Sequence, residues 1–209
     1  MKTTIYILLF LILAICCTKD NNETVDIKQL EPYIKNLISP DTLSPFIGNY
    51  YIHVNYKDPG TSQSKEMTFS ETDQSITQWY YPSDVGLGMS KQGVGLYNPE
   101  TSEHLEITFY FNTDIDTAFK ICYGNYFFAD PWTNTAGANI GYFRPVDISD
   151  PSTQYFFLGT NSTESSFKIT YIGNNRLNGT FQTTWKECCG GPQTYIVNGD
   201  FSIPSIHHQ

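Results

Sequence analysis

From Gly48 onward, hydrophobic and polar residues alternate with a period of two. "NYYIHVNY" sets Tyr50, Ile52, Val54 and Tyr56 on one face and Tyr51, His53 and Asn55 on the other. "HLEITFYF" does the same with Leu105, Ile107, Phe109 and Phe111, and "SFKITYI" with Phe167, Ile169 and Tyr171. "RLNGTFQTTW" gives Leu177, Phe181 and Trp185. "QTYIVNGDFSI" gives Tyr195 and Val197, then Phe201 and Ile203 after an Asn-Gly step that reads as a bulge. Such alternation marks strands with one face buried and one face wet. Weaker strand patterns cover 65–70, 75–81, 119–123, 126–129, 140–144 and 154–158. Turn signals separate them at Asp58-Pro59-Gly60, Glu71 to Gln74, Asn98-Pro99 and Asp150-Pro151. Gly173-Asn174-Asn175 predicts a tight hairpin joining 166–172 to 176–185.

Many short strands with these turns predict an all-β fold. An antiparallel β-sandwich is the first architecture, and a lipocalin-like closed β-barrel is the alternative, because periodicity does not separate the two. Ahead of the strands, "QLEPYIKNLISP" places Leu30, Tyr33, Ile34 and Leu37 at helical spacing. This predicts a short N-terminal helix, with Pro32 in its first turn and Pro40 ending it.

The N-terminus has a third pattern. Lys2 is followed by an unbroken apolar run from Ile5 to Ile15. That is the length of a signal-peptide core and short of the ~20 residues that cross a bilayer as a helix. The run ends at two cysteines in "LAICCTKDNN". The chain thus divides into a signal at 1–16, a polar tether at 17–29 and a single β domain at 30–209.

Composition narrows the partners. The net charge is −9, and losing residues 1–16 removes Lys2 and no acid, which takes it to −10. There is no Lys/Arg cluster after residue 20 to grip phosphates, so nucleic acid is excluded as a partner. The 15 Tyr, 14 Phe and 3 Trp point instead to aromatic contacts. Trp79, Tyr80 and Tyr81 stand in a row, and on a strand at least one of them faces away from the core. Trp132 follows an aromatic run in a Pro-containing loop. These four are the candidate ligand-binding residues, because exposed aromatic rings stack on sugars and anchor protein interfaces. The competing reading is that they build the sheet.

Catalytic signals are sparse. The chain has no Gly-x-Ser-x-Gly, His-Glu-x-x-His or P-loop pattern. His53 and His104 fall on strand faces opposite the apolar ones, where solvated side chains are expected. Asp114 and Asp116 lack the rest of a calcium loop. Cys122, Cys188 and Cys189 remain after the N-terminal pair; a disulfide from Cys122 to Cys188 or Cys189 suits an exported chain. A zinc site from these three with His207 or His208 lacks the usual paired spacing. No metal and no cofactor is expected, and a hydrolase is the third functional reading after the two given below.

"LAICC" followed by polar residues resembles the lipobox of bacterial lipoproteins. The resemblance implies a cysteine carrying diacylglycerol and acyl chains such as palmitate. Cys17 has Ala14 three before it and Cys16 at the cut; Cys16, the alternative, has Leu13 and Ala14 in place but Ile15 at the cut. Several chains on one cysteine would hold the protein in a membrane, at ~0.8 kcal/mol per buried methylene. Lys19-Asp20 directly behind resembles the export signal of Bacteroidetes surface lipoproteins, which implies the outer face of the outer membrane. The triplets Asp41-Thr42-Leu43 and Asp116-Thr117-Ala118 are similar to the O-glycosylation motif of exports in that group. "RLNGTF…TYIVNGDFSIP" resembles the closing hairpin of small Bacteroidetes lipoprotein domains whose function is not established. "SPFIGNYYI" is similar to the first strand of lipocalin-like barrels. The expectation is a lipid-anchored, non-catalytic envelope domain that contacts a glycan or an envelope protein. A lipocalin-like carrier of a small apolar ligand is the alternative. Oligomeric state is not legible.

Overall fold

A computed structural model of the chain describes residues 34–37, 48–57, 63–71, 75–84, 89–111, 124–129, 136–147, 150–160, 162–173, 175–187 and 194–205. They contain twelve strands: β1 (Ile34–Leu37), β2 (Tyr51–Lys57), β3 (Ser64–Ser70), β4 (Ser75–Asp84), β5 (Met89–Tyr97) and β6 (His104–Phe111), then β7 (Gly124–Tyr126), β8 (Gly137–Asp147), β9 (Asp150–Thr160), β10 (Ser166–Gly173), β11 (Arg176–Glu187) and β12 (Thr194–Pro204). All belong to one hydrogen-bonded antiparallel sheet that curls on itself as a half-barrel. The all-β expectation holds, and the architecture lies between the sandwich and the closed barrel. The layers that face each other across the core are parts of one sheet.

The sheet is organised around β11. One edge pairs with β12 over its length, from Arg176↔Pro204 to Lys186↔Thr194. The other edge meets two strands in succession. Arg176 to Gln182 pair with β10, and Thr184 to Glu187 pair with β9. β9 and β10 therefore run end to end along β11, broken by a short excursion before Ser166. Polar side chains stitch the break. Thr183 Oγ1 and Ser165 Oγ donate to the Thr160 carbonyl at 2.9 and 2.7 Å, and Thr160 Oγ1 donates to the Thr184 carbonyl at 2.9 Å.

Beyond that line the sheet splays into two wings. β9 leads on to β8, β6, β5 and β4, while β10 leads to β7 and β1. The wedge between the wings is closed by residues 127–129 and by Asn139. Ala129 N–H donates to the Ala138 carbonyl, and Ala138 N–H to the Phe127 carbonyl, each at 2.9 Å. On the far side, β12 pairs with β2 and β2 with β3.

The alternation read from sequence sets the inner face. Ile52 and Val54 of β2, Leu105, Ile107 and Phe109 of β6, Phe167 and Ile169 of β10, and Val197, Phe201 and Ile203 of β12 join one core cluster. Its centre is aromatic: the Phe109 and Phe128 rings meet Phe167 edge to face at 5.9 and 6.0 Å. A fully buried ring of this size contributes roughly 2–3 kcal/mol.

Three expectations are corrected. The short N-terminal helix is absent over Ile34–Leu37, which form β1 against β7. Four apolar residues at helical spacing carry little helical stability in so short a segment, and the edge of β7 away from β10 supplies strand pairing instead. The Asn198-Gly199 step makes no bulge, since the β11–β12 register is continuous through it. Asp150-Pro151 is not a turn, because β9 already begins at Asp150, paired with Asp147. The Gly173–Arg176 hairpin forms as expected, with Asn175 at φ +57°, a conformation that Asn tolerates better than most residues.

Gly179 and Gly199 each make room for a ring of the partner strand. Gly179 stands opposite Phe201, and Phe181 opposite Gly199. Each phenyl ring lies over the partner strand's glycine: a Cβ on Gly179 would meet Phe201 Cζ at 2.4 Å, and one on Gly199 would meet Phe181 Cζ at 2.6 Å. Two reciprocal Phe-over-Gly pairs thus lock the hairpin register.

Candidate functional site

Tyr56 closes the inward row of β2, Trp185 closes that of β11, and Tyr195 opens that of β12. These ends lie side by side. Lys65 pairs with Tyr56, Trp185 with Tyr195, and Tyr142 with Phe157. The curl of the sheet gathers these positions, with Arg144, around a cleft of about 230 Å³. Six strands contribute to it, so its shape depends on the whole curl.

The rings pack in a chain. Trp185 stacks on Tyr142 with centroids 5.3 Å apart, and Tyr142 stacks on Phe157 at 5.9 Å. Tyr195 meets Phe157 and Tyr56 edge to face at 5.5 and 5.7 Å. The floor is fixed by hydrogen bonds. Trp185 Nε1 donates to the Ile140 carbonyl at 3.0 Å, and the Tyr142 hydroxyl donates to Glu103 Oε1 at 2.7 Å. Thr101 Oγ1 donates to the second oxygen of Glu103 at 3.1 Å. Burial, and then the bond to Glu103, push the Tyr142 phenol well above its ordinary range, so it stays a donor.

Trp185, Phe157 and Tyr142 are buried, while Tyr56, Tyr195 and Arg144 are half-buried and Lys65 is exposed. Both cations lie against rings. Lys65 Nζ is 6.0 Å from the Tyr56 centroid, and Arg144 Cζ is 5.6 Å from that of Phe157. These are cation–π distances. Among the described residues, the lining carries phenol hydroxyls, an indole, an ammonium and a guanidinium, and no carboxylate, imidazole, thiol or aliphatic hydroxyl. Such a surface can stack on a ring and donate hydrogen bonds.

No protein-family model, curated protein or solved structure matches this chain. The cleft therefore has to be read from its own residues.

Trp79, Tyr80 and Tyr81 are on β4, where their backbones pair with Gly93, Gln92 and Lys91. Trp132, Cys16, Cys17, Cys122, Cys188 and Cys189 lie outside the described residues, as do Asp114, Asp116, His207 and His208. In the sequence, Tyr56, Trp185 and Tyr195 read simply as members of apolar faces. The signal that marks them is position, an aromatic residue at the end of an inward row.

The outer faces carry two titratable clusters. His53 was expected to be solvated, but it sits between two carboxylates: Nδ1 is 3.0 Å from Asp200 Oδ1 and Nε2 is 2.9 Å from Glu66 Oε1. Tyr51 donates to the other Asp200 oxygen at 2.6 Å. The hydrogen bond to Asp200 is the main cause that raises the His53 pKa above 6.5. His104 was expected to be solvated too. It is stacked on Phe143 at 4.0 Å, and burial lowers its pKa to about 4. Two residues on, burial raises the Glu106 pKa to about 7, against smaller opposing effects of Lys91 and Thr108. Thr108 and Tyr110 on the same face are buried, so β6 is covered on both sides. Alternation disguised this because the residues on its second face are polar.

Proposed function

We propose that this chain is a lipid-anchored binding domain of the bacterial cell envelope, whose aromatic cleft takes a sugar ring. The cleft carries the reading: five aromatic side chains and two cations converge at about 230 Å³ from six strands. Its volume lies below the ~300–1,000 Å³ of drug-sized pockets, which suits one pyranose ring or a glycan end. Hydroxyl-bearing rings at a cleft mouth provide both the stacking face and the hydrogen bonds that sugars need. The described lining offers rings and hydrogen-bond donors, groups suited to binding, which supports an accessory role. The lipocalin-like carrier is favoured less, because Phe109, Tyr126, Phe128 and Phe167 fill the inner face of the curl.

The anchor is read from "LAICC", with Cys17 as the lipidated residue and Lys19-Asp20 directing display at the outer surface. Its test is fractionation. Cys17→Ala should move the protein from the membrane to the soluble fraction, and release by Cys16→Ala alone would assign the lipid to Cys16.

The binding reading is tested by a glycan array and an envelope pull-down with the wild-type chain and a Tyr56→Ala/Tyr195→Ala variant. Glycan signals that the double variant loses are expected. Signals of equal strength in both proteins would move the binding surface away from the cleft, toward the Trp79–Tyr81 strand or Trp132.

A further inference from the structure

We propose that the ring taken by the cleft carries a carboxylate, so that the ligand is an acidic sugar, a hexuronate or a glycan ending in one. This rests on the cleft reading above and adds the charge of the ligand. The chain has 21 acids against 12 Lys and Arg, so an average stretch of its surface is negative. The cleft is the reverse, with Lys65 and Arg144 and no acid among its described lining residues.

Strand alternation produces this separation of charge. Lys65 is on the cleft side of β3, whereas its neighbour Glu66 is on the opposite face, bound to His53. Glu103 approaches from behind Tyr142, and both of its oxygens are already engaged, by Tyr142 and Thr101. Glu187, two positions past Trp185 and paired with Phe157, shares the cleft-side face of β11 but is not one of the residues lining the cleft. Lys65 belongs to β3 and Arg144 to β8, which stand five strands apart along the curl, so the cations reach the cleft from opposite walls.

The two cations suit different parts of one anion. A guanidinium presents a planar fork that matches a carboxylate, and an ammonium acts as a point charge. A carboxylate fixed to a pyranose ring could meet them while the ring lies against Tyr56 or Tyr195. A neutral sugar would use the rings and leave the charges unused.

Isothermal titration of the full-length chain in detergent micelles decides this, with glucuronate, glucose and benzoate as probes. Glucuronate should bind about ten-fold more tightly than glucose. Lys65→Gln and Arg144→Gln should each weaken glucuronate binding several-fold more than glucose binding, and so remove most of that preference. Lys65 is exposed, so its variant carries the test if Arg144→Gln fails to fold by circular dichroism. Equal affinity for glucuronate and glucose would overturn the carboxylate and keep the cleft reading. Tighter binding of benzoate than of glucuronate would overturn the sugar. A folded protein that binds none of the three would overturn both the inference and the proposed function.

Discussion

The side-chain amide of Asn139 takes the place of a strand partner for Gly159. Its Nδ2 donates to the Gly159 carbonyl at 2.9 Å and its Oδ1 accepts the Gly159 N–H at 3.0 Å. The second Nδ2 proton goes to the Ala129 carbonyl at 2.6 Å. The residue is buried, at the wedge where the two wings of the sheet part. Asn139→Ala would strand three backbone groups in the interior, each costing about 1–3 kcal/mol. A loss of about 3 kcal/mol or more is expected in urea denaturation. Asn139→Asp should be at least as harmful, because a carboxylate would face two carbonyls. A variant within about 0.5 kcal/mol of wild type would show that water replaces the amide.

Glu106 and His104 give opposite pH dependences from one strand face. Glu106, raised from 4.5 to about 7, contributes stability that is present below 4.5 and lost as pH rises through 7. His104, lowered from 6.5 to about 4, contributes stability that is present above 6.5 and lost as pH falls through 4. Between these limits the two slopes oppose each other. Glu106→Gln should unmask a stability that rises with pH across this window and should exceed wild type above pH 7 by up to about 3 kcal/mol. His104→Phe should unmask a stability that falls with pH. Denaturation midpoints from pH 4 to 8 measure both, and parallel curves for all three proteins would refute the assignment.

His53 acts in a higher window. Its raised pKa favours the imidazolium held by Asp200 and Glu66. The stability it contributes is complete below 6.5 and is lost as pH rises through its folded value. The partners are partly exposed, so screening keeps the effect below about 1 kcal/mol, and salt weakens it. His53→Gln should flatten the melting temperature above pH 6.5, and NMR titration of the His53 ring should report a pKa above that of a model peptide.

Gly179→Ala and Gly199→Ala should each destabilise the closing hairpin by several kcal/mol. A methyl on Gly179 would sit 2.3 Å from the Lys168 carbonyl oxygen, and one on Gly199 would sit 2.0 Å from that of His53. Backbone would have to part in both cases, which exceeds the ~1–3 kcal/mol of ordinary overpacking. Phe181→Leu should cost less, since it loosens a ring without moving a strand. A milder effect from either glycine variant than from Phe181→Leu would contradict the ring-over-glycine arrangement.

Strands whose apolar residues occupy one face were legible in the sequence. Ile52 and Val54, Leu105 to Phe109, and Leu177 to Trp185 lie where alternation places them. β5 was missed because Gly93 and Gly95 interrupt Val94 and Leu96, and glycine depresses a strand reading. β1 was misread because a spacing of three and four suits a helix unless a strand edge is waiting for it. The cleft was not legible. Lys65, Tyr56, Trp185 and Arg144 are ordinary residues on four strands, and only the curl brings them together. The same holds for Asn139, whose role exists only where the two wings diverge.

The β2–β12 pairing has a consequence for synthesis. Val54 faces Gly199, and Ile52 faces Phe201, across nearly 150 residues of chain. The β2–β3 hairpin is made early yet has no sheet to join until residues 194–204 have emerged, and such distant closures form slowly. A nascent chain halted before β12 would carry β2 and β11 with matching edges exposed. Ribosome-stalled intermediates should therefore remain protease-sensitive in β2 and β3 until β12 is released, and then become protected there in a single step.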